Sequence, residues 1–154
     1  MKDSFIHYGT VFISGACILA LEILGAHMIG PYFGVNLFLW TALLTVTLIA
    51  LVLGYFLGGR LADKKPSCRA LSTLIFLTAV WLFMLPYIAE LLSIVVRDFG
   101  YRFGVVFVSL CLFTLPLSCL GCVMPYVLKL RVQSLANVAI EGGNLYAFST
   151  VASV

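Results

Sequence analysis

Glu22 is the first residue that could carry out chemistry, because it is a carboxylate in the middle of the apolar run Leu19-Ala20-Leu21-Glu22-Ile23-Leu24. An ionised group at the centre of a bilayer costs about 2.5–3.5 kcal/mol on insertion scales, so another interaction must offset that cost. One interpretation is a proton or cation site facing the interior of a helix bundle. The other is a protonated or hydrogen-bonded glutamate that only fixes packing.

His27 is the next ionisable residue along the same run. It lies five residues after Glu22, about 140° around a helix, so the two side chains do not share a face. We therefore interpret His27 as a residue of the membrane interface and expect no direct pair with Glu22.

Five cysteines raise the question of a metal or redox site, and two of them, Cys119 and Cys122, have CxxC spacing. The pair lies in an apolar run without a histidine pair nearby in sequence, so packing of small apolar side chains is the favoured interpretation. Glu141-Gly142-Gly143-Asn144 lacks the preceding strand of a nucleotide loop. We predict no metal, no cofactor and no catalytic residue in this chain.

The elements that must position these residues are long and apolar. The chain is 63% hydrophobic and 10% charged, with a mean hydropathy of +1.16, whereas soluble domains are roughly 45–50% apolar and about 25% charged. A spanning helix needs about 20 mostly apolar residues. Four segments reach that length and a partial fifth follows them: 9–29, 38–59, 70–95, 104–128 and 142–154. We predict a single all-α domain over residues 1–154, a polytopic membrane helix bundle.

The part of the chain after the fourth segment differs from the preceding segments in length and polarity. Residues 132–141 are moderately polar and are expected to form a short amphipathic stretch on the membrane surface. The final run ends at Val154 after a rise of about 20 Å, which is short of the hydrocarbon core of about 30 Å. We expect the natural protein to continue beyond this residue.

The basic residues indicate orientation. With the N-terminus inside, seven fall on the cytoplasmic side and two outside: Lys2, Arg60, Lys64, Lys65, Arg69, Lys129 and Arg131, against Arg97 and Arg102. This distribution satisfies the positive-inside rule. We predict a multi-pass protein of a bacterial-type inner (plasma) membrane with a cytoplasmic N-terminus. The basic clusters form no aromatic-interleaved face, so no nucleic-acid partner is expected.

A stripe of small residues runs along the second segment, in which Ala50, Gly54 and Gly58 recur every four positions. Such a stripe lets a neighbouring backbone approach closely, so we interpret it as a helix-packing face. The stripe continues into the segment where the second helix leaves the membrane, Gly58-Gly59-Arg60-Leu61-Ala62-Asp63-Lys64-Lys65. This segment resembles the cytoplasmic loop signature of major facilitator transporters. A plain positive-inside anchor also explains this segment.

Six short motifs define a wider resemblance. They are Phe12-Ile13-Ser14-Gly15-Ala16-Cys17, Leu21-Glu22-Ile23-Leu24-Gly25, Pro31-Tyr32-Phe33-Gly34, Leu53-Gly54-Tyr55-Phe56-Leu57-Gly58-Gly59-Arg60-Leu61-Ala62-Asp63, Met124-Pro125-Tyr126 and Asn144-Leu145-Tyr146-Ala147-Phe148-Ser149-Thr150. Their order resembles the membrane region of the fused spermidine synthase-like membrane proteins. In that family a multi-helix region precedes a cytoplasmic Rossmann-like aminopropyltransferase domain, which binds decarboxylated S-adenosylmethionine and a polyamine. The resemblance covers nearly the whole chain, but the catalytic domain is absent from it.

The resemblance implies an integral membrane module that anchors or partners a polyamine aminopropyltransferase domain or subunit and handles a polyamine. The chain alone is then not an enzyme. The candidate binding residues are Glu22, His27, Arg60, Asp63 and Tyr146. His27 departs from the arginine more usual in relatives, which argues against a charge pair with Glu22. Beyond the lipid bilayer, a homo-oligomer is a further partner to consider. Two alternatives stay open: half of a major-facilitator-like transporter for a small cationic solute, and a structural subunit of a membrane complex.

Overall fold

A computed structural model describes residues 2–64, 67–96, 100–131 and 138–152. Over these residues the chain forms five α-helices and no strand. They are α1 (Lys2–Phe33), α2 (Leu37–Lys64), α3 (Cys68–Val96), α4 (Tyr101–Arg131) and α5 (Val138–Ala152). The first four are long and apolar enough to cross a membrane. The predicted all-α helical membrane bundle is therefore confirmed, and the chain is a multi-pass membrane protein.

The helices extend beyond the apolar runs that predict them, because a helix does not need to end where the hydrocarbon ends. α1 has 32 residues and continues through Pro31 to Phe33, a rise of about 48 Å. The turn after it uses Gly34, whose φ of +79° suits a residue without a Cβ. The Asn36 side chain then caps α2 by accepting a hydrogen bond from the Leu39 amide at 3.0 Å.

α5 begins at Val138, four residues before the apolar run of the sequence begins. Residues 138–141 of the expected amphipathic stretch therefore belong to this helix. The remainder of that stretch, 132–137, lies outside the described residues.

Neighbouring side chains fix the direction of each helix. On α1 and α4, Gly25 faces Phe113 and Phe33 faces Gly104, so these two helices are antiparallel. On α5 and α4, Gly142 lies near Leu128, whereas Ser149 lines one cleft together with Met124, so these two helices are also antiparallel. It follows that α1 and α5 run in the same direction.

α4 is the central helix of the bundle. It contacts each of the other four helices, and it is the most buried of the four candidate spans, whereas α3 is the least buried. The core side chains that it contributes include Val108, Leu112, Leu117 and Tyr126, all fully buried. A helix that is apolar all round suits this position in a membrane, because one face packs against the neighbouring helices while exposed side chains such as Phe103 and Phe107 face lipid.

The most extensive interface joins α4 to α2, and the small residues of the α2 stripe form it. A Cβ on Gly58 would lie 2.6 Å from the Cys122 Cα and 2.8 Å from its carbonyl oxygen. Gly54 lies equally close to the Ser118 backbone. The two backbones can approach this closely only because both positions lack a side chain.

Two side chains of α4 donate hydrogen bonds into α2 across this contact. Ser118 Oγ donates to the Ala50 carbonyl at 3.0 Å, and Cys122 Sγ donates to the Gly54 carbonyl at 3.1 Å. The second cysteine of the CxxC motif is therefore a buried packing and hydrogen-bonding residue in this structure.

α3 is held to α4 by a hydrogen bond that depends on a proline. Pro116 has no amide hydrogen, so the Leu112 carbonyl one turn earlier loses its helical donor. Trp81 Nε1 of α3 donates to that carbonyl at 3.1 Å. A backbone acceptor freed by proline inside the bilayer thus obtains a partner from a neighbouring helix, as the membrane environment requires.

Ser67, which directly precedes α3, is also fixed to α4. The Tyr126 hydroxyl accepts from the Ser67 amide at 2.8 Å and donates to the Ser67 carbonyl at 3.2 Å. Because Tyr126 is fully buried, this pair of bonds anchors Ser67, and with it the start of α3, to the core.

Candidate functional site

Glu22 is partly buried on α1, well inside the candidate span Ile6–Phe33. Its Oε1 atom is buried and has no hydrogen-bond partner among the described residues. A buried carboxylate oxygen without a donor is costly, because the group has given up water without replacement. The first of the sequence-predicted site residues is thus placed as an unsatisfied acceptor inside the bundle.

A cleft with several hydroxyl groups in its walls lies on the same side of α1, between this helix and α2, α4 and α5. Its volume is about 190 Å³, and its walls are Gly15, Ile18, Leu51, Tyr55, Met124, Tyr146, Ser149 and Thr150. Four of these residues carry hydroxyl groups, so we call it the hydroxyl cleft. The Thr150 hydroxyl donates to the Tyr146 carbonyl at 2.9 Å, whereas both tyrosine rings are about half exposed.

The helical repeat relates Glu22 to this cleft. Gly15 and Ile18 line the cleft, and Glu22 follows them at intervals of seven and four residues, which places all three on one face of α1. Glu22 therefore lies on the same face of α1 as the cleft, one turn beyond Ile18.

The contact between α1 and α5 determines where the cleft opens. A Cβ on Gly15 would lie 2.7 Å from the Ser149 carbonyl oxygen, so the two backbones nearly touch there. Because the helices are parallel, Ala152 reaches about the depth of Ile18. The described part of α5 therefore does not cover Glu22.

α4 contributes another unsatisfied group at a similar depth. The buried Thr114 Oγ1 has no hydrogen-bond partner within the described parts of the chain. Because Gly25 faces Phe113 across the antiparallel pair, Glu22 is level with Pro116, two residues from Thr114 and about 3 Å away along the axis. The middle of the bundle thus holds at least two polar groups with unused hydrogen-bonding capacity.

The structure does not bring His27 to this site. Its Nδ1 lies 3.0 Å from the Ile23 carbonyl, in position to donate a hydrogen bond within α1, and the side chain is exposed. This placement agrees with the interpretation that His27 and Glu22 do not form a pair.

Arg60 and Asp63 lie at the opposite end of α2 from Asn36, in separate interactions. The Arg60 guanidinium stacks on the Phe56 ring at 3.9 Å from its centroid. Asp63 forms an exposed ion pair with Lys129 at 2.8 Å. These contacts are typical of a membrane surface, and neither residue reaches the hydroxyl cleft.

Tyr146 does line the hydroxyl cleft, and sequence reasoning missed its companion residues there. Tyr55 and Ser149 carry no signal of their own in an apolar sequence, since a tyrosine near a helix end is also typical of the membrane interface. They form a site only because α5 packs against α1 and α4, which brings its residues to the same space as Tyr55 of α2.

The arrangement provides one carboxylate and several hydroxyl groups, which suit a protonated amine. An ammonium group donates hydrogen bonds that carboxylate and hydroxyl oxygens accept. Across the described residues, no three His, Cys, Asp or Glu side chains are grouped to hold a metal ion. Searches with protein-family models, among curated proteins and among solved structures gave no match to this chain.

Proposed function

We propose that this chain is the integral membrane module of a spermidine synthase-like protein, which anchors or partners a polyamine aminopropyltransferase and binds a polyamine cation at Glu22. The observation that carries the binding role is the buried Oε1 atom of Glu22, which has no partner among the described residues. A bound cation supplies both the opposite charge and the missing hydrogen-bond donor. It therefore removes the two costs of keeping this carboxylate in the bilayer.

The anchoring role is supported by the order of motifs in the sequence and by the charges at one end of the bundle. Arg60, Lys64, Arg69 and Lys129 are exposed where α2 and α4 end and α3 begins. We assign this end to the cytoplasmic face of a bacterial-type inner membrane, with the N-terminus on the same side. The aminopropyltransferase partner then lies next to it.

Thiol labelling tests this orientation. Cys68 is exposed at the start of α3, next to the basic end. We expect a membrane-impermeant maleimide to label it in inside-out vesicles and not in intact cells, with Cys68→Ala as the control. Labelling from the periplasm would reverse the assignment.

Amine binding to the purified protein in lipid nanodiscs tests the binding role. We expect the wild type to bind radiolabelled spermidine and Glu22→Gln to lose at least about tenfold in affinity, since a charged hydrogen bond of about 1.5–3 kcal/mol is removed. Glu90→Gln is the matched control, because Glu90 is an exposed glutamate of α3. A wild type that binds no polyamine would refute the binding role.

The proposal also predicts that the chain alone does not transfer an aminopropyl group. Purified protein supplied with decarboxylated S-adenosylmethionine and putrescine should release no methylthioadenosine above background. Release of that product would show a catalytic centre within these residues.

A half of a major-facilitator-like transporter is the second candidate, favoured by the position of Glu22 inside a span and beside a cleft. Flux of labelled putrescine into liposomes separates the two candidates. Flux that depends on Glu22 would favour the transporter. Equal background flux in the wild type and in Glu22→Gln would leave the anchoring module.

A further inference from the structure

A groove between α1 and α3 lies apart from the hydroxyl cleft and has no part in the proposed function. Its volume is about 270 Å³, and its walls include Ile13 and Cys17 of α1, Ile75, Ala79 and Leu82 of α3, and Leu120 of α4. We call it the α1–α3 groove. An apolar cavity of about 150 Å³ is large enough to bind benzene, so this groove has room for several carbon atoms of a hydrocarbon chain.

The walls of the groove present mainly carbon atoms. Three hydroxyl groups belong to them, but each donates to a carbonyl of its own helix at 2.9 Å: Thr10 to Ile6, Ser14 to Val11 and Thr78 to Leu74. These donors are therefore already used by the helix backbones. Such walls suit an apolar occupant, since a polar group placed between them would gain few hydrogen bonds.

The depth of the groove follows from the length of α3. The helix has 29 residues and is about 44 Å long, so a helix centred on a hydrocarbon core of about 30 Å extends about 7 Å beyond it at each end. Ile75 and Leu82 follow Cys68, the first residue of α3, by seven and fourteen residues. They therefore lie about 4 and 14 Å inside the core, and the groove runs through the acyl-chain layer of one leaflet.

The layer just outside this part of the core is basic. Four exposed basic side chains lie at this end of the bundle, against the single acidic side chain of Asp63 among those that the structure describes there: Arg60, Lys64, Arg69 and Lys129. Lys129 is paired with Asp63. The charges that remain are positive, so this surface attracts anions.

Arg69 is the basic residue closest to the groove along α3. It follows Cys68, which precedes Ile75 by seven residues, or about two turns, and so lies on the groove side of the helix. Arg69 is exposed, and it forms no ion pair with any side chain in the described parts of the chain. It therefore lies in the headgroup layer next to the end of the groove.

We propose that the α1–α3 groove binds one acyl chain of an anionic phospholipid, whose phosphate group is held by Arg69. A phospholipid extends through the same two layers as this site, because its chains lie in the core and its headgroup lies in an interface of about 5–8 Å. A guanidinium group binds phosphate oxygens through charge-assisted hydrogen bonds. The inference rests on the membrane fold and on these residues, and it does not depend on amine binding at Glu22.

Native mass spectrometry of the detergent-solubilised protein, titrated with phospholipids, tests the choice of headgroup. The two lipids are phosphatidylglycerol, which is anionic, and phosphatidylcholine, which has no net charge, with identical acyl chains. We expect phosphatidylglycerol to bind at least about fivefold more tightly, since one basic residue near an anionic headgroup contributes about that factor. Equal affinities in the wild type would overturn the inference.

Substitution of Arg69 tests its contact with the phosphate group. Arg69→Gln should weaken binding of phosphatidylglycerol about fivefold and leave binding of phosphatidylcholine unchanged. Arg102→Gln is the matched control, because Arg102 is exposed at the start of α4, at the opposite end of the bundle. If both variants bind phosphatidylglycerol equally, Arg69 does not hold the headgroup and the assignment is refuted.

Filling the groove tests the position of the acyl chain. Ala79→Phe should weaken binding of phosphatidylglycerol at least about tenfold, because the ring and the chain cannot occupy the same space. Val80→Phe is the matched control, since Val80 is exposed on the same helix and does not line the groove. Ile13→Trp fills the groove from α1 and should have the same effect as Ala79→Phe, with circular dichroism to confirm that each variant is folded. Equal binding by folded groove variants and by Val80→Phe would place the lipid elsewhere and overturn the inference.

Discussion

Replacement of Gly58 by alanine is the most direct test of the α2–α4 interface. The new methyl group would lie 2.6 Å from the Cys122 Cα, 2.8 Å from the Cys122 carbonyl oxygen and 2.9 Å from Pro125 Cγ. All three distances are below ordinary van der Waals contact, and two of the three atoms belong to the α4 backbone. A backbone cannot move aside by changing rotamer, so the helices must separate.

The cost of this substitution can be estimated from the packing. Forcing an extra methyl group into a well-packed core typically costs about 1–3 kcal/mol. Separation of the helices also lengthens the nearby bond from Cys122 Sγ to the Gly54 carbonyl, and an interhelical bond in a membrane contributes about 0.6 kcal/mol on average. The higher helix propensity of alanine offsets at most about 1 kcal/mol. We therefore expect a net loss of about 1–3 kcal/mol in the free energy of unfolding.

Gly59 offers a matched control in the next position of the same helix. A Cβ there meets nothing within 4 Å. Gly59→Ala should therefore leave the free energy of unfolding unchanged or raise it by up to about 1 kcal/mol, through helix propensity alone.

Unfolding in mixed micelles with increasing SDS, followed by tryptophan fluorescence and circular dichroism, measures both variants. Gly58→Ala should unfold at a lower SDS fraction than the wild type, and Gly59→Ala should not. If the two alanine variants unfold at the same SDS fraction, α2 and α4 do not pack at Gly58 and the account of this interface is wrong.

Three further substitutions test other contacts by the same unfolding measurement. Trp81→Phe removes the hydrogen-bond donor of the Leu112 carbonyl, which Pro116 leaves without a helical donor, and should lower the free energy of unfolding by about 0.6–1.7 kcal/mol. In a chain that already carries Pro116→Ala, the Leu112 carbonyl has its helical donor, so Trp81→Phe should cost less there. An equal loss in both backgrounds would contradict this reasoning. Tyr126→Phe removes both hydrogen bonds to Ser67 and should lower the free energy of unfolding by about 1–3 kcal/mol. No change would mean that the hydroxyl does not anchor Ser67. Asp63→Asn should cost no more than about 1 kcal/mol, and less at high salt, because its ion pair is exposed; a larger, salt-independent loss would mean that the pair is buried in the membrane-bound protein.

The helices could be predicted from the sequence because the apolar runs exceed the length needed to cross a bilayer. The ends could not, since α1 continues through Pro31 to Phe33 and α5 begins at Val138, and both extensions lie outside the apolar runs of the sequence. The stripe of Gly54 and Gly58 predicts a close helix neighbour but does not say which one. That choice depends on Ser118 and Cys122, which in the sequence are only a serine and part of a CxxC motif.

The candidate site could be predicted in part. Glu22 was accessible to sequence reasoning because a carboxylate within an apolar run has a cost that demands an explanation. The hydroxyl cleft was not accessible, since it exists only where Gly15 lets Ser149 approach and where Tyr55 faces the same space. The register between non-adjacent helices determines such a site, and no local pattern records it.

The pairing of α2 with α4 has a consequence for biosynthesis. Cys122 donates to a carbonyl 68 positions earlier in the chain, and ribosomes add about 5–20 residues per second. Gly54 is therefore synthesised roughly 3–14 s before Cys122. The close contact between α2 and α4 can thus form only late in translation, after the whole of α3 has been synthesised.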